Sequence, residues 1–306
     1  MFYFLFFDFF FLFFFFFFLF YFDFFFLAKN HRRIFEEIGF ENVVQMCKYK
    51  ETQVLKNMAN VFLNLIQLDQ NKVKMIKDGG ILFLSTLVNL VKDSTLGEFP
   101  ELENFLSRGI AYLCEQPHTI DEIVPKFGTE IFIYLLSRSM ECQQSAARSL
   151  AFLSSDEKIV QILMKSDITS SLLDFITKTK DIFVKRSIIM TLANLSNSKE
   201  FEKSITPPLL ELFVDMALIT DTQINVHAAH IIANISSNKE QLPKIKVHLF
   251  KILELSNFTQ IRYDWESSFL SLVPQNELVE TISDQTSEIN FYFIKILANF
   301  ITLSSK

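Results

Sequence analysis

Glycine and cysteine are both scarce in this chain of 306 residues, at 6 and 3 copies. So few glycines leave little room for phosphate-cradling loops or for the turns of a β-rich fold. Cys47, Cys114 and Cys142 are odd in number and stand at unrelated spacings, which fits neither a disulfide framework nor a zinc cluster. They read as reduced core thiols of a cytosolic-type compartment. A basic excess is missing as well. Formal net charge is −6, two of those charges being Asp8 and Asp23 inside an N-terminal apolar run, and elsewhere both signs are interspersed. A general nucleic-acid binder usually carries a basic stripe, so no nucleic-acid partner is expected. Sustained period-two alternation is also lacking, and no sheet is expected.

What the chain does have is internal repetition. "VFLNLI", "GIAYLC", "SLAFLS", "TLANLS" and "IIANIS" share one pattern, and "ILANFI" repeats it near residue 299. Taking the fourth letter as a marker gives Asn64, Tyr112, Phe152, Asn194, Asn234 and Asn299, the first five spaced by 48, 40, 42 and 40 residues. The residue before the marker is Ala in all copies but one, where it is Leu63. Large apolar residues stand two before and one after. Apolar positions three apart with a small residue between them suit a helix buried against neighbours on two sides.

A second landmark, "KDGGILFLSTLV" around Gly80 and "KFGTEIFIYLL" around Gly128, lies sixteen residues beyond the first two markers. Glycine between a charged helix and an apolar one reads as a helix stop. Thr206-Pro207-Pro208 reads as a helix start, with Thr as N-cap and Pro in the first turn. Each unit is then a short helix, a turn, a medium helix and a longer helix carrying the marker.

These residues resemble the armadillo-repeat family, on the "ALxxLANLS"-like third helix, the "N…I…GGI…LV" landmark and the period near 42. The resemblance covers residues 29–256 and a last copy near 287–303. It implies an all-α, armadillo-like α-solenoid of about six to seven three-helix repeats in a right-handed superhelix, with the third helices lining a concave groove. Between the last two markers the spacing is 65, and a degenerate repeat is expected around 257–286.

In that family the marker faces the groove. Packed helices lie about 8–10 Å apart and an extended peptide advances about 3.3 Å per residue, so a marker ladder meets a bound chain about every third residue. Asn is a poor helix former, and its recurrence needs a reason. Two are open: a ladder that grips peptide main chain, since one amide both donates and accepts, or a tie from each helix to the neighbouring repeat's loop. A second groove-facing row, one turn earlier, holds Asn60, Arg108, Arg148, Met190, His230 and Lys295. Import receptors of the family carry Trp there, whereas the only Trp of this chain is Trp265, so a basic import signal finds no aromatic slots. Arg108 with Tyr112, and Arg148 with Phe152, instead suggest a basic and aromatic patch for acidic or phosphorylated peptide segments.

No Walker, Rossmann, kinase or hydrolase motif is present, and a non-enzymatic, cofactor-free protein-binding scaffold is expected. His227 and His230, three apart on one helix, lack supporting metal ligands and read as core or groove histidines. Ser154-Ser155-Asp156 reads as helix capping. A second possible function comes from armadillo proteins that stimulate nucleotide dissociation from small GTPases, to whose terminal repeat "YDWESSFLSLV" is loosely similar.

Residues 1–27 hold eighteen Phe. From Phe2 to Leu27 the run is long enough for a membrane helix of about 20 residues, with Asp8 and Asp23 at the interfaces. Lys29, Arg32 and Arg33 would then keep the solenoid cytosolic. A near-homopolymer equally suggests translated low-complexity sequence, and a cap on the first repeat is the third reading. Positive charge before the run, as a secretory signal needs, is absent. Export would also offer Asn194-Leu-Ser and Asn234-Ile-Ser for glycosylation inside the groove, so a cytoplasmic location is expected, membrane-associated only through residues 2–27.

Overall fold

Short polar side chains decide where the helices start. The computed structural model describes residues 62–63, 80–92, 100–248, 291–292 and 294–299, within two compact units, residues 1–112 and 113–306. All regular structure among the described residues is helical. None of these helices is long and apolar enough to cross a membrane. Residues 1–27 and 257–286, with the expectations attached to them, lie outside the described residues, as do Cys47, Asn60 and Asn64.

In the first unit, α1 (Gly80–Lys92) precedes α2 (Pro100–Cys114), whose last two residues belong to the second unit. The rings of Phe62 and Phe83 meet at a 36° tilt, 5.0 Å between centroids, and Leu84, Leu87, Leu106 and Ile110 are buried with them. Gly109 sits against this cluster: a β-carbon there would stand 3.2 Å from both Leu84 and Phe62. The close approach explains a glycine inside a helix, where it otherwise weakens the helix by about 1 kcal/mol.

The second unit repeats one trio three times. The first is α3 (Pro117–Phe127), α4 (Glu130–Leu136) and α5 (Met140–Leu153). Next come α6 (Glu157–Met164), α7 (Ile168–Lys178) and α8 (Ile182–Leu195), and then α9 (Lys199–Glu202), α10 (Pro207–Ala217) and α11 (Thr222–Ile235). α12 (Leu242–Lys246) opens a fourth, and residues 294–299 are helical again. The short–medium–long order holds in the second and third trios. In the first, α3 is longer than α4, because Gly128 ends α3 and Ser139 caps α5 soon afterwards.

Caps explain the boundaries. Asp156, Asp181 and Asp221 each accept at least one backbone N–H of the turn they precede, at 2.8, 2.8 and 3.2 Å. Ser139 accepts from the Cys142 N–H. Thr206-Pro207-Pro208 starts α10 as the sequence predicts, although the Thr206 hydroxyl makes no capping bond; the first-turn prolines leave fewer N–H groups to cap. Gly128 has φ 72° and donates its N–H to the Val124 carbonyl, the helix stop expected of it.

Third helices form the spine of this unit: α5 packs on α8 and α8 on α11, each backed by its own second helix. Ala151, Ala193 and Ala233, one before each marker, are buried in these contacts, flanked by the fully buried Leu150, Leu153, Leu192, Leu195, Ile232 and Ile235. Each such Leu or Ile contributes about 1.5–3 kcal/mol by leaving water. Replacing Gly128 by Ala forces a side chain into a positive φ and against Glu130. We expect this substitution to destabilise the protein by about 1 kcal/mol, read as a lower urea midpoint; an unchanged midpoint would refute the strain.

Candidate functional site: the third-helix face

Capping chemistry also builds the surface between the third helices. α5, α8 and α11 end on Ser154, Ser196 and Ser236, two places after each marker. Each of these buried hydroxyls donates to the carbonyl of the Ala before the marker: Ala151, Ala193 and Ala233, at 3.0, 2.7 and 2.8 Å. The oxygen still has lone pairs, and the next repeat's marker fills one. Asn194 Nδ2 donates to Ser154 Oγ, Asn234 Nδ2 to Ser196 Oγ and Asn299 Nδ2 to Ser236 Oγ, each at 2.9 Å. Of the two readings open for the asparagines, the tie to the neighbouring repeat is present at all three described positions.

This pairing was legible in the sequence and we did not predict it. Every repeat with Ser two after its marker is followed by a repeat with a marker Asn. Where that place holds Ile66 or Cys114, the next markers are Tyr112 and Phe152. Cys114 is fully buried, and its thiol is pushed up to about 12 by that burial, against a smaller opposing effect of its bond to Ser149. It is an inert core thiol, as is buried Cys142 in position. The Asn299–Ser236 bond has a topological meaning too. It is the bond that joins immediate neighbours elsewhere, so residues 294–299 meet the end of α11 directly, despite the spacing of 65.

At the other end of the third helices, Gln144 Nε2 donates to Asp181 Oδ2 at 3.1 Å, and Arg186 donates through Nε and Nη2 to Asp221 Oδ2 at 2.9 and 2.7 Å. The Arg186 bond holds the Asp221 carboxyl below the usual range and raises the guanidinium above its own. Each N-cap aspartate thereby grips its own helix with one oxygen and the preceding repeat with the other.

Between these two ties lie the predicted face residues. Arg148 is 57% exposed, its guanidinium 5.7 Å from the Phe152 ring centroid and 2.6 Å from Glu115 Oε1. The predicted Arg–aromatic pairing therefore exists in α5, with a carboxylate already at hand. Arg108 is exposed and Tyr112 half-buried one turn later in α2, within the first unit. Met190 and Asn194 are half-buried on α8, and the Asn194 side-chain oxygen, Oδ1, has no partner among the described residues. Asn234 is more committed: its amide bonds both Ser196 Oγ and Asn197 Oδ1, and its carbonyl accepts from Lys295 Nζ at 3.0 Å. His230 stacks on Tyr292, centroids 4.6 Å apart and planes within 15°. Among the described residues no group of His, Cys, Asp and Glu is arranged to hold a metal ion.

Burial, with the like charges of Lys295 and His227 behind it, pushes the His230 imidazole down to about 4 from 6.5.

No family model matches the chain. A probable serine/threonine-protein kinase of Dictyostelium discoideum is 25% identical over 175 residues, 56% of this chain but only 12% of that protein. Solved structures give broader coverage. A designed armadillo repeat protein in complex with the peptide (KR)4 matches with TM-score 0.61 at 18% identity, covering 84% of this chain and 98% of its own. UNC-45 from Drosophila melanogaster matches with TM-score 0.60 at 15% identity, over 90% of this chain and 32% of its own. A chain from the phosphorylation switch that controls the interaction between cadherin and β-catenin matches with TM-score 0.68 at 13% identity, over 88% and 46%. The fold is an armadillo-like α-solenoid.

Two outcomes test the face. Alanine at Ser154 and Asn194, singly and together, is expected to give a coupling of about 1 kcal/mol in a double-mutant cycle of unfolding free energies; additive effects would remove the inter-repeat bond. For His230, between pH 6.5 and about 4 the unfolded chain binds a proton that the folded chain refuses, so stability falls as pH drops through that window. His230→Gln should flatten that slope in a series of melting curves, modestly because the half-exposed ring is screened; a slope unchanged by the substitution counts against the linkage.

Proposed function

We propose that the chain is a non-catalytic scaffold that holds an extended acidic or phosphorylated protein segment across the third-helix face. The observation that carries this reading is Arg148, exposed and laid over Phe152, with the open side-chain oxygen of Asn194 on the next third helix. A guanidinium offers a carboxylate or phosphate two parallel N–H bonds, the aromatic ring shields the contact from water, and the amide carbonyl accepts a main-chain N–H of an extended segment. Glu115 holds the guanidinium until such an anion arrives. A surface pair of this kind is worth about 0–1 kcal/mol, so a ligand carboxylate or phosphate displaces it at little loss.

Charge favours acidic over basic partners. Among the described residues, the acids beside these helices' arginines, Glu115 and Asp221, are already paired with Arg148 and Arg186 and are not offered to a lysine- or arginine-rich segment. The solved armadillo structures lend general support, since one holds a peptide and another concerns a protein partner whose binding is switched by phosphorylation. The matched stretch spans 12% of the kinase, and its activity is not carried over. A location in the cytoplasm goes with this reading.

Charge reversal and charge release separate the reading from a merely structural Arg148. With fluorescent Asp/Glu-rich and phosphoserine peptides as probes, Arg148→Glu is expected to weaken binding at least tenfold at unchanged helicity. Glu115→Gln, which frees the guanidinium, should tighten it several-fold. Equal affinity across wild type and both variants would overturn the proposal.

A further inference from the structure

The third-helix face is not equally open along its length. Asn194 and Asn234 occupy the same place in successive repeats and make the same backward bond to a C-cap serine. Their carbonyls differ. The side-chain Oδ1 of Asn194 meets no partner among the described residues, whereas that of Asn234 accepts a hydrogen bond from Lys295. One turn earlier the contrast repeats. Met190 leaves its place half-open, and His230 is covered by the ring of Tyr292. Both covering groups come from the terminal helical stretch, whose Asn299 is itself anchored on Ser236 and on the Ala233 carbonyl at 3.4 Å.

We propose that Tyr292 and Lys295 form an internal latch that occupies the peptide-accepting positions of α11, so that a bound segment ends at Asn194 unless the latch opens. The inference rests on the peptide-binding reading above and names a limit on that same site. Its chemistry is competitive. A lysine ammonium on a neutral amide oxygen makes the same kind of bond that a peptide N–H would make, but intramolecularly, without the translational entropy that a free ligand loses. The stacked Tyr292 denies the ring of His230 to an incoming side chain in the same way. An extended segment meets each repeat about every third residue, so closing α11 removes about three residues from its register.

The latch also sets a direction for segment chemistry. Lys295 brings a cation to the closed end and Arg148 stands at the open one. A long acidic segment with a carboxylate beyond the residue seated at Asn194 competes for Lys295 and opens the latch. A short or neutral segment leaves it shut.

Phage-displayed random twelve-residue peptides, selected separately on the full chain and on its Tyr292→Ala, Lys295→Ala variant, test the proposal. Peptides taken on the wild type should lose binding on Asn194→Ala or Arg148→Glu and be indifferent to His230→Ala. Those taken on the variant should lose at least fivefold on His230→Ala. Wild-type peptides that lack a carboxylate beyond the residue seated at Asn194 and already need His230 would overturn the latch. Peptide-independent evidence comes from the acylation rate of His230 by diethyl pyrocarbonate, followed by mass spectrometry: Tyr292→Ala is expected to raise it about tenfold, and an unchanged rate also overturns the latch. If no peptide is selected on either protein while the acylation rate rises as expected, the peptide-binding reading fails and the latch contact stands as a structural closure.

Discussion

A serine hydroxyl at the end of one long helix, reached by an asparagine amide from the next, is the contact on which the second unit depends. The hydroxyl stabilises its own helix end by donating to the alanine carbonyl one turn back, and it joins two repeats by accepting from the marker. Local capping and long-range assembly thus use the two faces of one oxygen atom. Because Ser154, Ser196 and Ser236 are all buried, neither role can be handed to water without leaving a polar group unmet.

Around this contact the remaining features fall into place. The alanine before each marker lets adjacent third helices approach closely enough for the amide to reach. The N-cap aspartates repeat the principle at the opposite end, one oxygen for the helix and one for the neighbour. Held at both ends, the third helices present a face whose polar groups are mostly spoken for. The few that stay open, above all the Arg148 guanidinium and the Asn194 side-chain oxygen, stand out for that reason.

Much of this was readable from the chain. The 40-residue rhythm, the buried alanine, the Gly128 stop and the Pro207 start were all signalled by local chemistry, because caps and small-residue contacts are properties of short segments. Pairings that depend on how two helices are rotated against each other were not. Glu115 meets Arg148 across 33 positions of sequence, and nothing at either position says so. The reach of Lys295 to Asn234 was hidden for a different reason. A spacing of 65 gives no sign that the two stretches touch, and the bonds of Lys295 and Asn299 to α11 and its C-cap bring them together.

The serine–asparagine contact has a polarity, since every repeat offers an acceptor forwards and a donor backwards, and this gives the array a grammar. Excising residues 155–196 in register would bring Asn234 against Ser154, leaving a junction of matched chemistry one repeat shorter. Repeat number can therefore drift among the Ser-ended units by deletion or duplication without a chemical mismatch. Ile66 and Cys114 carry no hydroxyl at that place, so an asparagine-led unit set after either would leave its amide without the bond that Ser154, Ser196 and Ser236 supply.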